Sequence, residues 1–132
     1  MTMNRYLASV AVLFGMCLAL PANAADRMRP GQWVGTTIVG GKTFPTSSCI
    51  SQIEADAMNG DSKSVQAYVE KTIPREICRL TDFKVNGGQV IYTASCTGAP
   101  SKVITTSYHG DRSEGTDSTG GKTDAKLVGA CK

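Results

Sequence analysis

The nineteen residues from Cys78 to Cys96, CRLTDFKVNGGQVIYTASC, begin and end in cysteine around Asn86-Gly87-Gly88. Each arm is rich in β-branched and aromatic residues, and Asn-Gly is a strong short-range turn signal, so the stretch reads as an antiparallel hairpin. With Asn86-Gly87-Gly88 as a three-residue loop, Cys78 faces Cys96 directly. Opposed α carbons of neighbouring antiparallel strands are about 4.5 to 5.5 Å apart, and a disulfide spans about 4.4 to 6.8 Å. A cross-strand bridge is therefore expected, and with it a sheet-rich fold.

A disulfide needs an oxidising compartment, and the first residues supply a route to one. Arg5 precedes an apolar run from Tyr6 to Leu20, Pro21 breaks it, and Ala22-Asn23-Ala24 places small residues at the cleavage positions of an export signal. The run is shorter than the roughly 20 residues that a spanning helix requires, so no stable membrane anchor is expected once residues 1–24 are removed. Cys17 belongs to the discarded segment, because Met16 stands where a lipid-attachment site has a small residue. The mature chain, residues 25–132, has the length of a single domain.

That mature chain holds four cysteines, Cys49, Cys78, Cys96 and Cys131, separated by 29, 18 and 35 positions. Zinc sites use ligand pairs two to four residues apart, so these gaps point to two disulfides instead. If the strands run as a meander, Cys131 ends at the sheet edge opposite the Cys78–Cys96 pair, and Cys49 is left as its partner. Pairing Cys49 with Cys78 and Cys96 with Cys131 is the main alternative.

Gln32 to Val39 has strand character, and Gly40-Gly41 turns it into Lys42-Thr43-Phe44, a short partner that Pro45 interrupts or places at an edge. Ser51-Gln52-Ile53-Glu54 fits a capping box that starts a helix ended by Asn59-Gly60. A second helix runs from Asp61 or Ser62 to about Lys71, with Val65, Tyr68, Val69 and Ile73 on one stripe and Pro74 beyond it. After the cysteine hairpin come three further strands, Val103–Tyr108, Arg112–Thr119 and Asp124–Ala130. The middle one lacks any bulky apolar residue, so it belongs at a solvated part of the sheet or barely persists. The expected fold is α+β: an antiparallel meander-like sheet, two short helices inserted after the first hairpin, and two disulfide staples.

The chemistry-bearing residues are sparse. His109, the single histidine, lies in the turn Tyr108-His109-Gly110-Asp111, and any histidine-dependent mechanism has to pass through it. No Gly-x-Ser-x-Gly elbow occurs. Gly-Gly-Lys-Thr appears at Gly40–Thr43 and at Gly120–Thr123, but Thr36 and Thr116 stand where a phosphate-binding loop needs its first glycine, so both copies read as hairpin turns. Asp111, Glu114, Asp117 and Asp124 do not match the twelve-residue calcium loop, and strand alternation scatters them over two faces. Of the few mature aromatics, Trp33 and Phe44 are the pair that could line a small apolar pocket, although core packing is the commoner role. Thirteen Lys or Arg oppose eleven Asp or Glu after signal removal, without runs of one sign, so nucleic acid is not an expected partner. No residue set specifies a cofactor or a metal.

Taken together, Arg29-Pro30-Gly31-Gln32-Trp33, Cys49, the Cys78 hairpin with Asp82-Phe83, Cys96-Thr97-Gly98, Gly110-Asp111 followed by Gly115, and the penultimate Cys131 resemble a bacterial exported family, domain-of-unknown-function family 3617, over Met28 to Cys131. The resemblance implies a periplasmic location in a Gram-negative bacterium and brings no catalytic residues with it. The leading functional expectation is a non-enzymatic periplasmic module that binds a small ligand or an envelope protein. A structural or stress-related envelope component is the alternative, and an enzyme using His109 is a third.

Overall fold

A computed structural model describes residues 26–132. The expected export signal, its expected cleavage point and Cys17 lie outside the described residues. The chain runs β1 (Gly31–Val39), β2 (Lys42–Ile50), α1 (Gln52–Met58), α2 (Ser62–Lys71), β3 (Cys78–Asn86), β4 (Gln89–Cys96), β5 (Lys102–Tyr108), β6 (Arg112–Asp117) and β7 (Lys122–Gly129). All seven strands form one antiparallel sheet in the order β2-β1-β7-β6-β5-β4-β3. The expected α+β arrangement is present, mostly β, with both helices between the first hairpin and the meander β3 to β7.

The helices form where their caps place them. Ser51 Oγ accepts from the Glu54 amide at 3.2 Å and Glu54 Oε2 accepts from the Ser51 amide at 2.7 Å, so two amides that a helix start leaves free are satisfied reciprocally. Asp61 caps α2 by accepting from the Ser64 amide. Ala55 and Met58 of α1 and Val65 and Val69 of α2 are buried against Met28, Trp33, Ile50 and Val90, while Ile53 stays 81% exposed on the outer side of α1.

Two details of the sheet differ from the sequence expectation. The β3–β4 loop has two residues, not three, because Asn86 pairs with Gln89. Carried on unbroken, that register would set Arg79 against Cys96. A β-bulge corrects it: Asp82 and Phe83 together oppose Tyr92, Asp82 takes a left-handed φ of 54°, and from Thr81 onward the pairing shifts by one residue so that Cys78 faces Cys96. Aspartate tolerates that conformation better than most residues, since its short side chain can bond locally. The bulge also stacks Phe83 on Tyr92, with ring centroids 5.7 Å apart.

The second difference is β2, which runs through Pro45 to Ile50 instead of stopping near Phe44. Pro45 sits opposite Thr36 on a strand whose sole neighbour is β1. Its missing N–H therefore costs no ladder bond if that position faces outward, which is where edge strands accept proline. β7 is not an edge: β1 and β2 lie beyond it, and Cys131 crosses the end of β1 to bond Cys49 on the true edge strand. Cys78 is bonded to Cys96 at the opposite edge, so each disulfide secures an outermost strand.

β1 and β7 approach closely at Gly35. A Cβ there would lie 1.8 Å from the Asp124 carbonyl oxygen and 2.7 Å from the Ala125 α carbon. Backbone cannot yield as a side-chain tip can. Gly35→Ala is expected to lower stability by about 2 kcal/mol, measured as a lower urea midpoint; an unchanged midpoint would show that the two strands can part without cost.

The residues before β1 form a strap. Arg29 donates its amide to the Gly110 carbonyl and Gly110 returns a bond to Arg27, both at 2.9 Å. Asn59 Oδ1 accepts from the Arg27 and Met28 amides, and its Nδ2 donates to the Met28 carbonyl. Arg27 itself is 7% exposed. Its guanidinium donates to the carbonyls of Met58, Gly60 and Gly87, joining the end of α1 to the β3–β4 turn.

Candidate functional site

Two helices of 7 and 10 residues cannot cover seven strands. Their apolar stripes fill the inner face over β3 and β4, where Val90 and Ala94 are buried. Farther along the same face the cross-strand rungs carry small or hydroxylated residues. Thr37, Thr123, Gly115 and Thr106 form one rung, and Gly35, Ala125, Ser113 and Tyr108 form the next. Residues directly opposite in an antiparallel ladder share a face, so these rungs give a shallow floor where a closed core would have Leu or Ile. The result is a cleft of about 370 Å³, at the lower end of the roughly 300 to 1,000 Å³ usual for small-molecule sites.

This gives β6 its place. It is the central strand of the sheet, paired on both sides, so the solvated part of the sheet expected for a strand without bulky residues lies at the sheet's middle. None of its residues is buried: Arg112, Glu114 and Thr116 face solvent on the outer side, and Ser113, Gly115 and Asp117 line the cleft. Full ladders on both sides hold it, without any need for a buried side chain of its own.

The deep end of the cleft is apolar. Trp33, 4% exposed, forms a wall there with Met28, Ile50 and Tyr108, and its indole Nε1 donates to the Arg29 carbonyl at 2.9 Å. Burial pushes the Tyr108 phenol far above its ordinary range, and the neighbouring Tyr92 and Tyr68 add to the effect, against a hydrogen bond with Thr106 that opposes it. Tyr108 is a neutral wall residue at any physiological pH.

The mouth is charged. Asp117 Oδ1 accepts from the Thr119 hydroxyl and from the Thr119 and Gly121 amides at 2.6, 2.8 and 3.1 Å, and Lys102 Nζ is 3.6 Å from Oδ2. The Thr119 hydroxyl is the largest cause holding this carboxyl below its usual range; burial opposes it, and the Gly121 and Thr119 amides and Lys102 reinforce it. Lys122 borders the opening but pairs with Ile38 and Thr116 on the outer face, so its side chain points away from the cleft.

Of the residues singled out in the sequence, Trp33 is in the cleft wall. Phe44 is directly opposite Thr37, hence on the inner face, but stands 50% exposed beside the cleft rather than in its lining. His109 is exposed in the β5–β6 turn, where its amide donates to the Arg112 carbonyl, and it does not line the cleft. The four cysteines among the described residues are paired as Cys49–Cys131 and Cys78–Cys96. Both Gly-Gly-Lys-Thr copies form hairpin turns leading into β2 and β7. Glu114 and Asp124 share an outer rung, away from Asp117 on the inner side, and among the described residues no three His, Cys, Asp or Glu side chains gather to hold a metal ion.

Sequence reasoning missed the floor residues Ser113, Gly115, Thr123 and Ala125 and the mouth lysine Lys102. The available signal was the alternation of small residues along β6 and β7, which signifies an uncovered inner face only when both strands are known to be central.

A family model described as "Protein of unknown function (DUF3617)" matches residues 28–131. The chain belongs to the DUF3617 family. No curated protein and no solved structure matches it. The DUF3617 match begins at the strap residue Met28 and ends at Cys131, so it spans the whole sheet, the cleft and both disulfides. Among the described residues of this DUF3617 chain no helix is long and apolar enough to cross a membrane.

Proposed function

We propose that this DUF3617 chain is an exported, periplasmic, non-enzymatic module that binds a small ligand in the inner-face cleft. The single observation that carries the reading is the bare half of the sheet. Trp33, Tyr108 and Ile50 stand beside a floor of Ser113, Gly115, Thr123 and Ala125, with space between them that neither helix fills. A concave, largely apolar site with a few polar groups at its rim is the usual form of a small-molecule site. The two disulfides suit an oxidising compartment.

Native mass spectrometry of protein purified from the periplasm of its own host tests this directly. A small added mass is expected, and Ser113→Leu, which projects a larger side chain over the floor, is expected to remove it while the chain still unfolds cooperatively. Protein that carries no added mass, from its own host and without dialysis, would count against a ligand-binding role. A protein partner in its place would move attention to the sheet edges.

A further inference from the structure

The outer face of the sheet, away from the cleft, orders its charges by sign. Both helices pack on the inner face, which leaves the outer side of β6 and β7 open. Arg112 lies directly opposite Lys126 there and, one rung along, Glu114 lies directly opposite Asp124. All four residues are exposed. Side chains directly opposite on one face interact, and like charges in that position destabilise a sheet while opposite charges stabilise it. Two consecutive rungs therefore each carry the unfavourable combination, and the two are of opposite sign.

The chain does little to neutralise these charges by itself. None of the four takes part in an ion pair among the described residues. The Asp124 carboxyl is held below its usual range first by the Thr36 hydroxyl and then by the Thr36 amide, and Lys126 is the smallest of the causes. β6 is the central strand and β7 is its neighbour, so both rungs sit in the middle of the open face, where an interface concentrates its binding energy.

Two-fold symmetry supplies the complement that the single chain lacks. An axis in the plane of contact, parallel to the rungs and midway between them, reverses the strand direction and lays the positive rung of one copy on the negative rung of the other. Such a contact is isologous, so each pairing occurs twice. We propose that the outer face of β6 and β7 pairs with the same face of a second copy, Arg112 of each against Glu114 of the other and Lys126 of each against Asp124 of the other. Exposed ion pairs are individually weak and are screened by salt, so the dimer is reversible and salt-sensitive. Both clefts stay open on its outside, and the pairing stands or falls independently of ligand binding.

Sedimentation equilibrium of the purified chain at about 20 mM and about 500 mM sodium chloride tests the pairing, since screening shortens the reach of a charge severalfold between the two. A monomer–dimer equilibrium is expected at low salt, with a dissociation constant at least about tenfold larger at high salt. Arg112→Glu/Lys126→Glu makes the patch wholly acidic, and Glu114→Lys/Asp124→Asn makes it basic while keeping an oxygen that accepts from Thr36. Each variant alone is expected to stay monomeric, and an equimolar mixture of the two is expected to form a one-to-one heterodimer at low salt. Lys84→Glu, a charge reversal on β3 away from the patch, is expected to leave the dimer of the unaltered chain in place. Arg112→Gln/Glu114→Gln removes two of the four contacts and leaves Asp124 and its Thr36 bonds untouched, so it serves if either charge-reversed variant fails to fold; about tenfold weaker pairing is expected.

An unaltered chain that is monomeric at low salt up to its solubility limit would overturn the proposal. So would a dimer indifferent to salt, a dimer that survives either charge reversal or is unweakened by Arg112→Gln/Glu114→Gln, or a mixture of the two folded charge-reversed variants that stays monomeric. Equal loss of the dimer in Lys84→Glu would show that net charge, rather than this patch, governs association.

Discussion

Cys49→Ser/Cys131→Ser is expected to lower the unfolding free energy by about 4 kcal/mol, more than Cys78→Ser/Cys96→Ser at about 3 kcal/mol. The ranking follows from chain entropy. The first bridge spans 82 residues and the second 18, and the entropy that closing a loop removes from the unfolded chain rises with the logarithm of its length. Local structure widens the gap, because the Cys78–Cys96 hairpin is already closed by a two-residue turn and by ladder pairs on both sides of its bulge. The Cys49–Cys131 bridge instead ties the edge strand β2 to a C-terminal tail that leaves β7 after Gly129. For a domain whose whole stability is of order 5 to 15 kcal/mol, either loss is severe. Urea unfolding of the two double variants, each leaving no unpaired thiol among the described residues, decides the order. Equal costs, or a larger loss at Cys78–Cys96, would mean that native contacts around the bridges outweigh the loop lengths.

How far the sequence reached depended on whether a feature was local. The capping box at Ser51 and Glu54, the Gly40-Gly41 turn and the hairpin around Gly87 are each specified within a few residues, and each formed. The Cys78–Cys96 facing was obtained from a three-residue loop that does not exist. A two-residue turn and a bulge at Asp82-Phe83 displace the register in opposite senses and cancel. Nothing in the local pattern distinguishes one long loop from a short loop with a bulge. The lack of large side chains on β6 announced a solvated strand, and none of its residues is buried, but its central place was not legible, because coverage depends on where two helices from elsewhere in the chain come to rest. The cleft follows from that placement, so Trp33 was identified as a possible lining residue while Ser113 and Gly115, which define the space, were not.

Arg27 was invisible for the same reason, since a lone basic residue just after an expected export signal looks like solvated charge. Arg27→Ala is expected to cost about 3 kcal/mol. The guanidinium bonds the Gly87 carbonyl at 2.6 Å and the Met58 and Gly60 carbonyls at 2.9 and 3.0 Å. Hydrogen bonds to a charged group contribute about 1.5 to 3 kcal/mol each, but the truncated site can admit water, so the sum is discounted. Burial lowers the pKa of the group from its ordinary value, yet an arginine side chain stays charged in a protein, and its charge lies against the negative end of α1. Arg27→Lys should recover less than half of the loss, because an ammonium lacks the planar fork that reaches three carbonyls on two elements. Arg29→Ala is the control: its ion pair with Asp26, at 3.2 Å, has side chains 58% and 62% exposed, and surface pairs of that kind contribute less than about 1 kcal/mol. Urea unfolding of the three variants separates the possibilities. Arg27→Ala and Arg29→Ala with equal midpoints would show that the strap is held by its backbone bonds and by Asn59 alone, and that α1 does not need the buried cation at its end.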